Sequence, residues 1–274
     1  MSNNTHWLRP LGDTDLTVSA LGLGTVKFGR NQSMKYPAHF ELPDDDTIRN
    51  LLAMARDHGI NLIDTAPAYG SSETRLGELL TGPRTDWIIA SKAGEQFDGQ
   101  QSSFDFSPEH IRHSVHNSLK RLKTDYLDIL LIHSDGNDQK IIEEDGVFDT
   151  LNTLKQAGLI RAGGMSTKTV AGGLKTLAQS DIAMVTYYPG YTDEVSVLDA
   201  AAQHQKGIFI KKGLASGHLE HESDSADPIT TAMQFVLGHP GVSSLITGTI
   251  NPQHLAHNIA AARSVLDSSD IPMD

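Results

Sequence analysis

Eight short apolar runs recur along this chain, and they limit what it can fold into more than any other feature. They are Leu21–Thr25, Asn61–Asp64, Trp87–Ser91, Leu127–Ile132, Leu159–Gly163, Ile182–Thr186, Gly207–Ile210 and Ser243–Thr247. Most are continuous rather than alternating, which is the pattern of parallel strands buried on both faces. Helical patterns lie between them. Asp46–His58 carries Ile48, Leu51, Leu52, Met54 and Ala55 at helical spacing. Ser107-Pro108-Glu109 supplies a cap and a first-turn proline for a helix whose apolar stripe is Ile111, Val115, Leu119 and Leu122. Val147–Ala157 stops at Gly158, and Asn251-Pro252 opens a last helix, His254–Leu266. Eight strands, each followed by a helix, predict an α/β fold, a (β/α)8 TIM barrel formed as one domain by residues 1–274. The structural rival is a doubly wound open sheet, which usually carries a glycine-rich phosphate loop after its first strand. Gly22-Leu23-Gly24-Thr25-Val26-Lys27 is not such a loop, and a long polar connection, Phe28–Asp46, follows it. Before the first strand, Trp7–Leu11 and Leu16–Val18 flank a Gly12-Asp13 turn, a β-hairpin expected to close the barrel bottom with Trp7.

The bulk numbers narrow the function. The 274 residues carry a net charge of −12, which disfavours nucleic acid and anionic membranes as partners. The same charge leaves room for a small anionic cofactor held by local backbone amides. There is no cysteine, so thiolate chemistry and cysteine-ligated metals are excluded, and a reducing cytoplasm is the expected location. No signal peptide or membrane-spanning run is seen. No metal site is expected either. Of the thirteen histidines, His110, His113 and His116 read as a solvated helix face, and His218 and His221 fall in a polar loop, His218–Asp227.

Strand ends carry the chemistry. In a barrel of this kind the C-terminal ends of the strands share one mouth. Asp64 ends the second run, Lys92 follows the third, His133 follows the fourth, and Tyr69 lies in the loop after Asp64. Taken singly, each has an ordinary reading as a loop cap, a solvated charge or a packing residue. Together they form a proton-transfer set. Asp64 holds Lys92, the ammonium makes the Tyr69 proton more available, and His133 orients a substrate oxygen or shares the proton. Such a group suits protonation of an oxygen as charge develops on it, as carbonyl reduction requires, with the hydride coming from a cofactor. Two other classes stay open on these residues: a non-catalytic nucleotide-binding subunit, and a lyase or isomerase that uses Lys92 as a Schiff-base nucleophile.

The segment Gly59–Gly70, with Ser72-Glu73 and Leu76-Gly77 after it, resembles the signature of the aldo-keto reductases. Ile89-Ala90-Ser91-Lys92 is similar to the family's lysine strand, and Ser118–Leu122 with Asp125–His133 is similar to its histidine strand. The resemblance runs from about Leu21 to Asn258. It implies reversible reduction of aldehydes or ketones, sugars or hydroxyaldehydes among them, with Tyr69 as general acid/base and Asp64, Lys92 and His133 as its partners. It also implies a nicotinamide dinucleotide across the mouth, NADP(H) first and NAD(H) as the alternative. The residues it assigns to that cofactor are Gly24, Thr25, Ser166, Thr167, Lys211, Gly213, Leu214, Gly248, Thr249, Asn251, His254 and Asn258. The chain departs from the family pattern in places. The lysine and arginine that often clamp a 2′-phosphate near Gly248 and His254 are missing, Thr167 replaces an asparagine, and Lys211 stands where an aromatic ring is common. Lys35-Tyr36-Pro37 and Phe40 either line the substrate mouth or pack on the surface, and Arg75 with Glu73 are candidates for a local ion pair.

Overall fold

The computed structural model describes residues 7–33, 39–215 and 227–268. Eight strands close into a parallel barrel: β1 Leu21–Gly24, β2 Leu62–Asp64, β3 Ile88–Ala93, β4 Leu127–His133, β5 Ile160–Ser166, β6 Ile182–Thr186, β7 Gly207–Lys211 and β8 Ser244–Thr247. Neighbours in sequence are neighbours in the barrel, and β8 pairs with β1 to close it. At least one helix follows every strand, from Asp45–Asp57 after β1 to Pro252–Ser268 after β8. The long connection after β1 is not wholly irregular, since Val26–Gly29 forms one helical turn.

Side-chain alternation divides the core into two layers. In β4, Ile129 and Leu131 point into the barrel, where they meet Leu62, Ala90, Ala162, Met184 and Phe209. Leu130 and Ile132 point outward into the layer shared with the helices. A period of two therefore explains why the run is apolar throughout.

The N-terminal hairpin pairs Leu8–Pro10 with Thr17–Ser19. Leu11, Leu16 and Val18 are buried in the interior cluster. Gly12, at φ +60°, packs its backbone against Gln205–Gly207 at the start of β7, where a Cβ would lie 2.6–2.7 Å from backbone atoms. The hairpin thus plugs the N-terminal mouth, opposite the strand ends that carry the polar residues. Trp7 is buried beside it and donates from its indole to the carbonyl of Gly59 at 2.8 Å.

Candidate active site

The alternation that builds the interior also aims the site. Two residues beyond the last inward apolar side chain come Asp64 (after Leu62), Lys92 (after Ala90), His133 (after Leu131) and Lys211 (after Phe209). Each of these four strands fills the barrel with hydrocarbon and ends its inward row on a polar group. Lys92 lies within β3 rather than just beyond it, because the strand continues to Ala93. β5 likewise runs past the expected Gly163 to Ser166.

Tyr69 reaches this cluster through a tight 3-10 turn, Pro67–Tyr69. Gly70 follows at φ +61°, and a Cβ there would lie 2.2 Å from the carbonyl oxygen of Gly29, so only glycine lets the loop turn back at this point. Lys92 Nζ donates to Asp64 Oδ1 at 2.5 Å, to the carbonyl of Thr65 at 3.0 Å and to Tyr69 Oη at 3.0 Å. Its side chain is 2 % exposed. Burial works against the ammonium, but the charge of Asp64 and the contacts with Asp64 and Tyr69 outweigh it, and the Lys92 pKa is held above its usual value. An amine held as an ammonium by three oxygens is a poor Schiff-base nucleophile.

Tyr69 differs from the expectation that its neighbours would free its proton. Burial pushes its pKa up to about 12, Lys92 pulls it down, and Asp64 and Glu95 push it up again. Lys92 acts in the expected direction, but desolvation is the larger effect. Tyr69 is accordingly a firmly protonated phenol, a hydrogen-bond donor in the mouth.

His133 ends β4 with its ring edge-on to Tyr69, the centroids 6.2 Å apart. Burial lowers its pKa, as do the charges of Lys92 and Lys211, against the opposing pull of Glu95. Glu95 is the site residue that sequence reasoning missed. It starts the first strand of a small antiparallel hairpin, Glu95–Phe97 with Ser102–Phe104, placed directly after β3. The Asp98-Gly99 turn is the signal that marks this hairpin. Glu95 Oε2 lies 2.8 Å from His133 Nδ1, though the ring is turned so that Nδ1 has no aligned hydrogen-bond partner. Oε1 accepts from Ser102 Oγ at 2.5 Å, and Arg30 stands 3.6 Å away. Burial alone would raise the Glu95 pKa. The contact with His133, the Ser102 hydroxyl and Arg30 overcome it and bring the value to about 2.

Of the twelve residues that the resemblance assigns to a cofactor, ten lie at or after the C-terminal ends of β1, β5, β7 and β8 and two, His254 and Asn258, lie in the last helix, and they differ in how free they are to bind. Thr25 is occupied: its hydroxyl donates to the carbonyl of Asp64 at 2.9 Å and meets Ser72 Oγ at 2.8 Å, joining the ends of β1 and β2. Lys211 Nζ donates to Ser166 Oγ at 3.0 Å and to the carbonyl of Thr167. Burial lowers the Lys211 pKa to about 8 against the pull of Glu194. Gly213 is buried, Leu214 half-buried, and Gly24 ends β1 beside Asp64. Thr249 Oγ1 accepts from the amide of Asn251, and Asn251 Oδ1 from that of Gln253, so both cap the last helix. Gly248 and His254 are exposed, whereas Asn258 is buried.

The nicotinamide half of a dinucleotide fits these groups. Thr167 Oγ1 is buried without a partner, and Ser166 keeps a hydroxyl proton to donate, which suits an amide. The 2′-phosphate of NADP does not fit as well. The open groove beside Asn251, Pro252 and Gln253 is lined on its other side by Asp44, Asp46, Thr47 and Asn50, with no lysine or arginine among its described lining residues.

One other expectation changes. Arg75 does not pair with Glu73. It binds Asp45 at 2.7 Å, while the buried Glu73 is held by Arg121 at 2.7 Å and by Ser91 Oγ at 2.6 Å. Phe40 lies under the ammonium of Lys27, 5.1 Å from its ring centre. Lys35-Tyr36-Pro37, His218 and His221 lie outside the described residues. Among the described residues no cluster of three or more metal-ligating side chains occurs, and no helix is long and apolar enough to cross a membrane.

The model of the aldo/keto reductase family matches residues 20–220. The chain belongs to that family. This aldo/keto reductase superposes with a TM-score of 0.85 on a crystal structure from Pseudomonas aeruginosa assigned to the aldo-keto reductases, at 56 % identity over 94 % of this chain and 95 % of the other. It is 36 % identical to the NADH-specific methylglyoxal reductase of Escherichia coli over 95 % of each chain. It is also 30 % identical to the L-galactose dehydrogenase of Arabidopsis thaliana, over 93 % of this chain and 87 % of that one.

Proposed function

We propose that this chain is an NAD(P)(H)-dependent reductase of aldehydes or ketones, acting reversibly on a small carbonyl or alcohol in the cytoplasm, with Tyr69 as general acid/base. The observation that carries the reading is the buried Asp64–Lys92–Tyr69 chain of hydrogen bonds, which ends in a protonated phenol at the barrel mouth. A reduced nicotinamide, when bound, supplies the hydride that no side chain provides. Ser166 and Thr167 would hold its amide, with Lys211 fixing Ser166. The protein's own part is proton delivery. Tyr69 donates to the substrate oxygen as negative charge grows there, and the Lys92 ammonium at 3.0 Å stabilises the phenolate left behind. Asp64 keeps that ammonium in place and charged. In the reverse direction the same phenolate accepts the proton of an alcohol.

Family habit points to NADP(H), whereas the acidic groove favours NAD(H). Carboxylates accept hydrogen bonds from a ribose diol and repel a phosphate, and the NADH-specific relative supports the same choice. We therefore rank NAD(H) first. The proton-transfer reading is tested with Tyr69→Phe and a panel of aldehydes. Turnover should fall by roughly 10²–10⁴-fold, the range of general acid catalysis, while NADH binding is retained. Unchanged turnover would exclude Tyr69 as the acid.

A further inference from the structure

We propose that Lys211 makes the mouth distinguish the two oxidation states of a nicotinamide, tolerating the neutral reduced ring and repelling the cationic oxidised one. This rests on the reductase reading above and adds a direction to it. A site that keeps the reduced dinucleotide and releases the oxidised one is loaded for carbonyl reduction whenever both are present.

Lys211 ends β7, two residues beyond the inward Phe209. Its side chain is half-buried and crosses the end of β6 to reach β5, where Nζ donates to Ser166 Oγ at 3.0 Å and to the carbonyl of Thr167. Ser166 is the register partner of His133, and the charge of Lys211 helps to lower the His133 pKa. The ammonium therefore belongs to the same mouth as the proton-transfer group. Tyr69, Lys92 and His133 hold the β2–β4 side and Lys211 the β5–β7 side. A ring whose amide rests on Ser166 and Thr167, and whose hydride goes to a carbonyl at Tyr69, lies next to Lys211.

Charge balance singles this lysine out. Lys92 is also an ammonium, but Asp64 at 2.5 Å offsets it. Arg30 and Glu95 offset each other at 3.6 Å. Among the described residues Lys211 forms no ion pair, and its polar contacts are a hydroxyl and a carbonyl. The charged or titratable groups around it are Glu194 after β6, Lys212 beside it, Asp138 after β4, Lys168 after β5 and His133 on β4. Glu194 is the strongest attraction, yet one of its oxygens accepts from the amide of Thr186 at 2.9 Å and the other has no hydrogen-bond partner. Asp138 is spent on Ser134 and on Lys168 and Thr169 amides. The reduced ring is neutral. It loses a hydride with both bonding electrons, so the oxidised ring is a cation. Repulsion by Lys211 falls on that form alone, and in a partly desolvated site it is stronger than in water. The diphosphate is common to both forms, so its attraction to Lys211 cancels in their ratio.

Calorimetric titration of NADH and NAD⁺ at about pH 7 and about pH 9.5 tests this without turnover. Burial lowers the Lys211 pKa to about 8, so the ammonium is present at the lower pH and lost at the higher. His133 titrates below this range, and Tyr69 and Lys92 above it. NAD⁺ can also escape the repulsion by displacing the proton, which at about pH 7 caps the effect near tenfold. In the wild type, the NADH preference should shrink by roughly threefold to tenfold as pH rises, through tighter NAD⁺ binding. Lys211→Met should show a preference lower by the same factor at about pH 7, with no such pH dependence. Lys211→Arg keeps a charge that does not titrate, so its preference should be at least that of the wild type at both pH values. A preference that Lys211→Met leaves unchanged overturns the proposal, as does its loss in Lys211→Arg. A wild-type ratio that does not move with pH overturns it without any variant. Wild-type protein that binds neither NADH and NAD⁺ nor NADPH and NADP⁺ overturns the reductase reading instead.

Discussion

At the scale of single residues, the site sets burial against charge, and the outcome differs from group to group. Lys92 and Tyr69 share one hydrogen bond, yet burial loses to Asp64 at the lysine and wins over Lys92 at the tyrosine. The difference follows from neighbours. Lys92 has a carboxylate at 2.5 Å, whereas Tyr69 has one ammonium at 3.0 Å and also feels the negative charges of Asp64 and Glu95. Removing a negative charge should therefore make the phenol more acidic. In the cofactor-free protein Tyr69 is expected to ionise near pH 12, and in Asp64→Asn at a lower pH. The measurement is the phenolate absorbance titration of each protein minus that of the same protein carrying Tyr69→Phe. A rise or no change in Asp64→Asn would mean that Lys92, once released, matters more to Tyr69 than the lost carboxylate does.

At the scale of elements, the sequence marks where strands begin better than where they end. Apolar runs locate all eight, but the run stops being apolar where the inward side chain becomes functional. Lys92 and Ser166 therefore look like loop residues although they belong to β3 and β5. Asp64, Tyr69, Lys92 and His133 are legible because strand ends and a specific motif mark them. Glu95 is not, since Glu95–Phe97 is too short and too polar to read as a strand and its partner Ser102–Phe104 lies across a turn. The Glu73–Arg75 pair fails for a similar reason: spacing along the chain says nothing of Arg121 and Asp45, which arrive from other elements. On the proposed reading, cofactor choice also depends on two elements far apart in sequence. The start of Pro252–Ser268 faces the start of Asp45–Asp57, and that second helix brings Asp44 and Asp46 to the groove. A 2′-phosphate there would add negative charge beside two carboxylates. NADH should bind at least roughly tenfold more tightly than NADPH, a difference of about 1.4 kcal/mol. Fluorescence titration of both cofactors measures it, and equal or tighter NADPH binding would show that groups outside the groove decide the preference.

At the scale of the whole molecule, the barrel separates stability from chemistry along its axis. The bottom is sealed by Leu11, Leu16 and Val18, the middle is filled by Leu62, Ala90, Ile129, Leu131, Ala162 and Phe209, and the polar cluster comes only above that layer. The filled middle supplies the rigid backing that holds Asp64, Lys92 and His133 at fixed spacing, since close-packed interiors leave side chains little slack. Whether it also isolates the mouth from changes below is tested at Leu11. Leu11 is fully buried, and its side chain packs against the backbone of Gly207 at the foot of β7. Leu11→Ala should therefore open a cavity in the plug and cost about 2–5 kcal/mol of folding stability. Urea unfolding should show the lower midpoint. NADH affinity and kcat at a temperature where the variant is folded should remain close to wild type, because Leu11 packs at the foot of β7, at the opposite end of the barrel from the mouth. A fall in kcat equal to that produced by a change at the strand ends would mean that the plug sets the geometry of the mouth, and that the filled middle of the barrel does not isolate one end from the other.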